Sequence, residues 1–281
     1  MDRRGSRRTA LGDPALSAVA ALPMYDWPEV AAATDGFWAA VRDRLRAEGV
    51  AAPEALERDR GLAEVWTDPG LVLGQACGLP LVRTLAGRVA VVGAFDYGLP
   101  GCPAGWYRSA VVARTDDRRA ALADFRGATL AVNGTESQSG WGSILHHAAP
   151  LAVGRRFFGA VRVTGAHRAS VGAVAAGAAD IAAVDAVSWG LAQRFEPAAR
   201  RLRMLFLTDP TPGLPLIAAL GTDTAPQRRA VAAAAAELEA GARAALGIRG
   251  FVALGAGAWS IVGQRHAAAR ALLADGLEPA V

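Results

Sequence analysis

Residues 129–143 read TLAVNGTESQSGWGS, and their order decides the fold. A short apolar run, Thr129 to Val132, is closed by Asn133-Gly134, which is strand punctuated by turn chemistry. A polar stretch rich in serine and glycine follows, and then Ile144, Leu145 and Ala148 recur at helical spacing. Downstream the pattern repeats: strand 161–163, helix 169–176, strand 181–184. Strand, loop, helix in series builds a parallel βα lobe, with its loops gathered at the carboxyl ends of the strands. There the free backbone N–H groups of a helix start and the hydroxyls of Ser137 and Ser139 surround one point, an arrangement that favours negative charge. The same serines also read as plain N-caps of their own helix.

Working outward, further apolar runs at 18–22, 71–73, 89–95, 109–113, 203–207 and 216–219 read as strands. Helical stripes fall between them, for example Trp38, Val41 and Leu45, and a long alanine-rich helix is expected over 227–246. Alternation of strands and helices gives an α/β protein. Segments 109–114 and 203–215 carry the chain into the central lobe and out again.

Composition removes several functions. The 281 residues, 52% hydrophobic, suffice for one large domain or two modest lobes. No lysine occurs, so all 30 basic residues are arginine; a Walker A loop, a Schiff base and pyridoxal chemistry are therefore excluded. The arginines are interleaved with acids, as in VRDRLRAE at 41–48, which speaks against a nucleic-acid surface. Cys77 and Cys102 form no CxxC pair, so no zinc or thioredoxin-like site is expected, and a disulfide between them stays open. His146 and His147 are adjacent and diverge by about 100° on a helix, which is wrong for one metal ion. No metal and no cofactor are expected.

Two more loops reach the same strand edge as 133–139. One follows 161–163 and carries His167; the other follows 181–184 and carries Asp185, which reads equally as a helix N-cap. A serine nucleophile has no Gly-x-Ser-x-Gly elbow here.

In order along the chain, DPGLVLGQACGLP (68–80), Tyr107-Arg108-Ser109, Asn133-Gly134 through Ser139-Gly140, GAHRAS (165–170) and ADIAAVD (179–185) resemble the phosphate/phosphite/phosphonate-binding, PhnD-like family of ABC-transporter solute-binding proteins. The resemblance covers roughly 64–220. It implies a type II periplasmic-binding-protein fold: two α/β lobes, each a mainly parallel sheet flanked by helices, joined by two hinge strands. Lobe 1 is then discontinuous, 14–108 and 214–281; lobe 2 is 109–213, with crossovers near 109–115 and 203–213; residues 1–13 form a flexible tail. The ligand-facing positions it implies are Tyr25, then Trp66 or Gln75 and Cys77, then Tyr107 and Ser109, then Asn133, Ser137, Ser139 and Gly140, and finally His167 and Asp185.

The function implied is capture of a small anion, phosphate, phosphonate or a small organic acid, by a non-catalytic monomer that serves a transporter permease. Asp185 opposes a multiply charged anion unless it accepts a ligand hydrogen, which favours a zwitterion, a monoanion or a small organic acid. Family members carry an export signal, whereas the basic start here is interrupted by Gly12-Asp13-Pro14 before any apolar run. A periplasmic location is implied by the resemblance and a cytoplasmic one by that start. The competing expectation is a cytoplasmic lyase or dehydratase on the same fold, resembling those of menaquinone synthesis, with Asp185 or His167 as general base.

Overall fold

The computed structural model describes residues 17–273, and the tail expected at 1–13 lies outside them. In chain order the strands are β1 (Val19–Ala21), β2 (Leu71–Gln75), β3 (Val89–Asp96), β4 (Trp106–Tyr107), β5 (Ser109–Arg114), β6 (Thr129–Val132), β7 (Ala160–Val163), β8 (Ile181–Asp185), β9 (Leu202–Leu207), β10 (Thr211–Pro212), β11 (Pro215–Ala219) and β12 (Gly250–Val252). They form two five-stranded sheets, ordered β1-β2-β11-β3-β12 and β7-β6-β8-β5-β9. The fold is the expected two-lobed α/β architecture.

Each sheet is mixed. In the second, β6 runs parallel to β7 and β8, while β5 lies antiparallel between β8 and β9. In the first, β1 and β2 are parallel and β11 is antiparallel to both β2 and β3. Two of the reversed strands adjoin a crossing between lobes, β5 entering the second lobe and β11 returning to the first, while β12 is antiparallel to β3 at the edge of the first sheet. Central strands such as β5 and β8 are largely apolar and buried on both faces, whereas the edge strand β7 buries only Val161 and exposes Ala160, Arg162 and Val163.

The chain crosses twice between the sheets, and the crossings pair with each other as the short antiparallel ribbon β4–β10, Tyr107 opposite Thr211. The segments 109–115 and 203–213, expected as crossovers, hold β5, β9 and β10, so β5 and β9 already lie inside the second sheet. Both lobes have their own core. In the second, Phe125, Leu130, Ile144, Leu145, Phe157, Phe158 and Ile181 are fully buried, each contributing about 1.5–3 kcal/mol relative to exposure.

The single helix expected over 227–246 is two, Ala225–Ala236 and Ala240–Leu246. No glycine or proline marks the break. Arg243 stabilises it by donating to the carbonyls of Ala235, Ala236 and Leu238, which the broken helix leaves free. The C-terminal helix Ser260–Leu272 also departs from a simple lobe assignment. Val262 packs in the first lobe, yet Ala269 and Leu273 join the core of the second. Trp259 and Arg265 hold the returning crossing by donating to the carbonyls of Gly213 (2.9 Å) and Pro210 (2.8 Å).

Candidate functional site

The loops after β6, β7 and β8 open at one edge because those strands are parallel. After β6, Ser137 caps the next helix: its Oγ accepts the Gly140 N–H at 3.0 Å. The first turn is π-helical over Gln138–Gly142 and continues as Ser143–Ala148, so the helix begins ahead of the apolar spacing at Ile144, Leu145 and Ala148. The wide turn follows from two N–H groups, of Trp141 and Gly142, converging on the Ser137 carbonyl. Such turns recur at functional sites. Beneath it, Ser109 Oγ donates to the Ser139 carbonyl at 2.9 Å and its N–H to Thr208 Oγ1 at 2.9 Å. Ser109 therefore supports the loop from behind.

Gly140 is fixed by sterics. A Cβ on it lies 1.9 Å from Asn133 Oδ1 and 3.3 Å from His167 Cε1, so only glycine lets these two side chains close over the loop. After β7, Gly165 turns the chain at φ +85°. His167 then opens the helix His167–Ala175, two residues earlier than expected, and its Nε2 pairs with Ser139 Oγ at 2.8 Å. Burial lowers the His167 pKa to about 4, so the ring is neutral near pH 7.

Asp185 ends β8 and is 1% exposed. Its Oδ1 accepts from the N–H groups of Val187 (2.8 Å) and Ser188 (3.2 Å), the capping role open in the sequence. Its Oδ2 accepts from Tyr25 Oη at 2.7 Å. Burial raises the carboxyl pKa to about 6, against the lowering effect of these donors. Burial, and then the Asp185 charge, push the Tyr25 phenol well above its usual range, so Tyr25 remains a donor.

That bond joins the lobes, since Tyr25 follows β1. Cys77 does likewise, its Sγ accepting the Gln138 N–H at 3.3 Å. Both cysteines are free, and burial pushes the Cys77 thiol pKa up. At the rim Arg168 bridges the lobes, binding Glu29 (3.0 Å) and Glu196 (2.9 Å) with its guanidinium 4.7 Å from the Trp27 ring. Between the walls lies a cavity of about 390 Å³, touched by Tyr25, Asn133, His167 and Asp185. Its size suits a small ligand.

Eight buried side-chain polar atoms have no hydrogen-bond partner among the described residues. Five of them, Gln75 Nε2, Tyr107 Oη, Asn133 Oδ1, Gln138 Oε1 and His167 Nδ1, belong to this seam between lobes. Buried polar groups are ordinarily paired, and most of the unpaired ones among the described residues lie in this seam. Sequence reasoning overlooked Gln138, which stands between two named serines, and Tyr97, an aromatic just past β3 at the same strand edge that singled out Tyr25. It also read Arg168 only as part of a motif.

A profile described as the phosphonate, periplasmic substrate-binding protein of an ABC transporter matches residues 83–257, more than half of the 281-residue chain. A search of curated proteins returns no match. Among solved structures, XAC2383 from Xanthomonas citri bound to chloride is 17% identical, with a TM-score of 0.65 over 91% of this chain and 98% of that one. PhnD1 from Prochlorococcus marinus with methylphosphonate is 14% identical, TM-score 0.68, covering 89% of this chain and 97% of that one. MatC from Rhodopseudomonas palustris with malate is 14% identical, TM-score 0.59, covering 92% and 99%. At these identities the likeness is one of fold. Among the described residues no helix is long and apolar enough to cross a membrane. With the profile match spanning both crossings and the whole second lobe, the chain belongs to the family of phosphonate-type periplasmic substrate-binding proteins of ABC transporters.

Proposed function

We propose that this protein captures a small anion between its lobes, outside the cytoplasm and as a monomer, and presents it to a transporter permease. Binding is the whole of its chemistry. The ligand rests on the 137–140 turn, Ser139 and His167 of the second lobe, and on Tyr25, Gln75, Cys77 and Tyr107 of the first, with Asn133 and Asp185 closing the sides. The observation that carries the reading is the pair of orphaned buried polar atoms, Asn133 Oδ1 and His167 Nδ1, on second-lobe residues that line the cavity together with Tyr25 of the first lobe. A ligand that satisfies them and meets Tyr25 bridges the lobes and holds them closed by hinge rotation at the β4–β10 ribbon.

Asp185 narrows the ligand. The charged side chains touching the cavity are Asp26, Arg168 and Asp185, and Arg168 is already engaged by two glutamates. Among the described residues a dianion has no free cation to meet there, whereas a monoanion or zwitterion with a hydrogen for Asp185 is accommodated. The methylphosphonate, malate and chloride complexes of its structural relatives agree with a small anionic ligand.

The test is thermal melting of the purified protein with phosphate, methylphosphonate, malate and related small carboxylates. A ligand at 100 times its Kd stabilises the fold by about 2.7 kcal/mol, a rise of about 5–10 °C for a chain of this size. No shift with any of these anions contradicts the reading.

A further inference from the structure

Behind Tyr25, on the side away from the 390 Å³ cavity, lies a second chamber of about 30 Å³. That is room for one or two water-sized groups. Its walls are apolar, with Leu22, Val30, Phe37, Phe95 and Ile248 among them, and Tyr25 is the single side chain common to both spaces. One buried amide faces this apolar chamber. Gln75 lines it beside Tyr97 and is 2% exposed; its Nε2 acts on the Tyr97 hydroxyl but makes no hydrogen bond of good geometry. An unsatisfied buried amide costs about 1–3 kcal/mol, which an acceptor arriving from outside removes.

One wall is built to yield. Ala245 and Leu246 belong to the helix Ala240–Leu246, which has no fully buried residue. The second lobe reaches that wall through Leu191 and through Arg194, which donates to the carbonyls of Ala244 and Ala245. Closure of the lobes therefore completes the chamber as well as the cleft.

We propose that this chamber is a specificity pocket for the organic substituent of the bound anion. It takes the end of a short substituent, one or two carbons beyond the first, with one hydrogen-bond acceptor directed to Gln75, once the Tyr25 ring turns aside. The inference rests on the anion-binding reading above and names the class of ligand: an organic anion with a short keto- or ether-like tail.

Titration calorimetry with methyl-, ethyl-, propyl- and butylphosphonate, with 2-oxopropylphosphonate, and with the corresponding carboxylates tests it. Affinity should rise about fourfold per methylene up to propyl and stop at butyl. The ketone should bind about two- to tenfold tighter than the propyl compound, an advantage that Gln75→Leu removes. Val30→Leu, which narrows the chamber, should shift the optimum one carbon shorter while methylphosphonate binds as before. Equal affinity along the series, or a gain that continues past butyl, overturns the pocket and leaves the anion-binding reading standing. Failure of every anion in both series to bind overturns that reading, and the pocket with it.

Discussion

Alanine at position 140 is expected to weaken ligand binding about 100-fold. The added Cβ meets Asn133 Oδ1 at 1.9 Å and crowds His167 Cε1 at 3.3 Å. Asn133 is short and fixed at the end of β6, so its amide must rotate away, and the His167 ring must shift from Ser139. Two contacts to a charged ligand are lost, at about 1.5 kcal/mol or more each, which is the source of the hundredfold figure. The fold should survive, because the helix behind the turn is anchored by Ile144 and Leu145 in the second lobe's core. Gly172→Ala is the control: it lies in the helix that His167 opens, and its Cβ meets nothing within 4 Å. It should leave binding intact and add a few tenths to 1 kcal/mol of stability. Calorimetric Kd values for the two variants decide the matter; similar affinities in both contradict the geometry.

The second large effect is in pH. Asp185 and His167 touch the same cavity and are shifted in opposite directions, to about 6 and about 4, both by burial. Between pH 4 and 6 the folded protein holds a proton on Asp185 that the unfolded chain has released. The stabilising effect of Asp185 is therefore complete below about pH 4 and is lost as pH rises through 6. For His167 the unfolded chain holds the proton that the folded protein refuses, so its effect is complete above about pH 6.5 and is lost as pH falls through 4. Each shift amounts to about 3 kcal/mol, and the two slopes cancel. Wild-type stability should be nearly flat in this window as far as these groups decide it. Asp185→Asn should climb by about 3 kcal/mol from pH 4 to 6.5 relative to wild type, and His167→Asn should fall by a similar amount. Urea unfolding at pH 4, 5, 6 and 7 measures both. A profile for either variant parallel to wild type contradicts the burial of that group.

The second lobe was legible because its physics is local. Thr129–Val132 is an unbroken apolar run closed by Asn133-Gly134, and β6 has those bounds. Three parallel strands ending at one edge then gather their loops without further information, so Ser137, Ser139, His167 and Asp185 could be named from spacing and resemblance. What escaped depends on distant partners. Strand β12 is three residues beginning at a glycine, with no alternation to read, and exists because Phe251 finds a place beside Phe95. The ribbon strands β4 and β10 are two residues each, one of them proline, and are defined only by each other. Tyr25 and Asp185 stand 160 positions apart; no periodicity announces that a phenol from one lobe will bond a carboxylate from the other. The chamber behind Tyr25 is likewise assembled from Leu22, Gln75, Leu191 and Ile248. The break at 237–239 was hidden because an alanine-rich composition favours helix throughout, and Arg243, the residue that accommodates the break, acts through its side chain.

A crystal structure of the protein grown with methylphosphonate tests the central claim most directly. The account predicts the anion enclosed between the lobes, its oxygens within hydrogen-bonding distance of Ser139 Oγ, His167 and the backbone amides of the 137–140 turn. An empty cleft, or an anion held only by arginines on the outer surface, would contradict it.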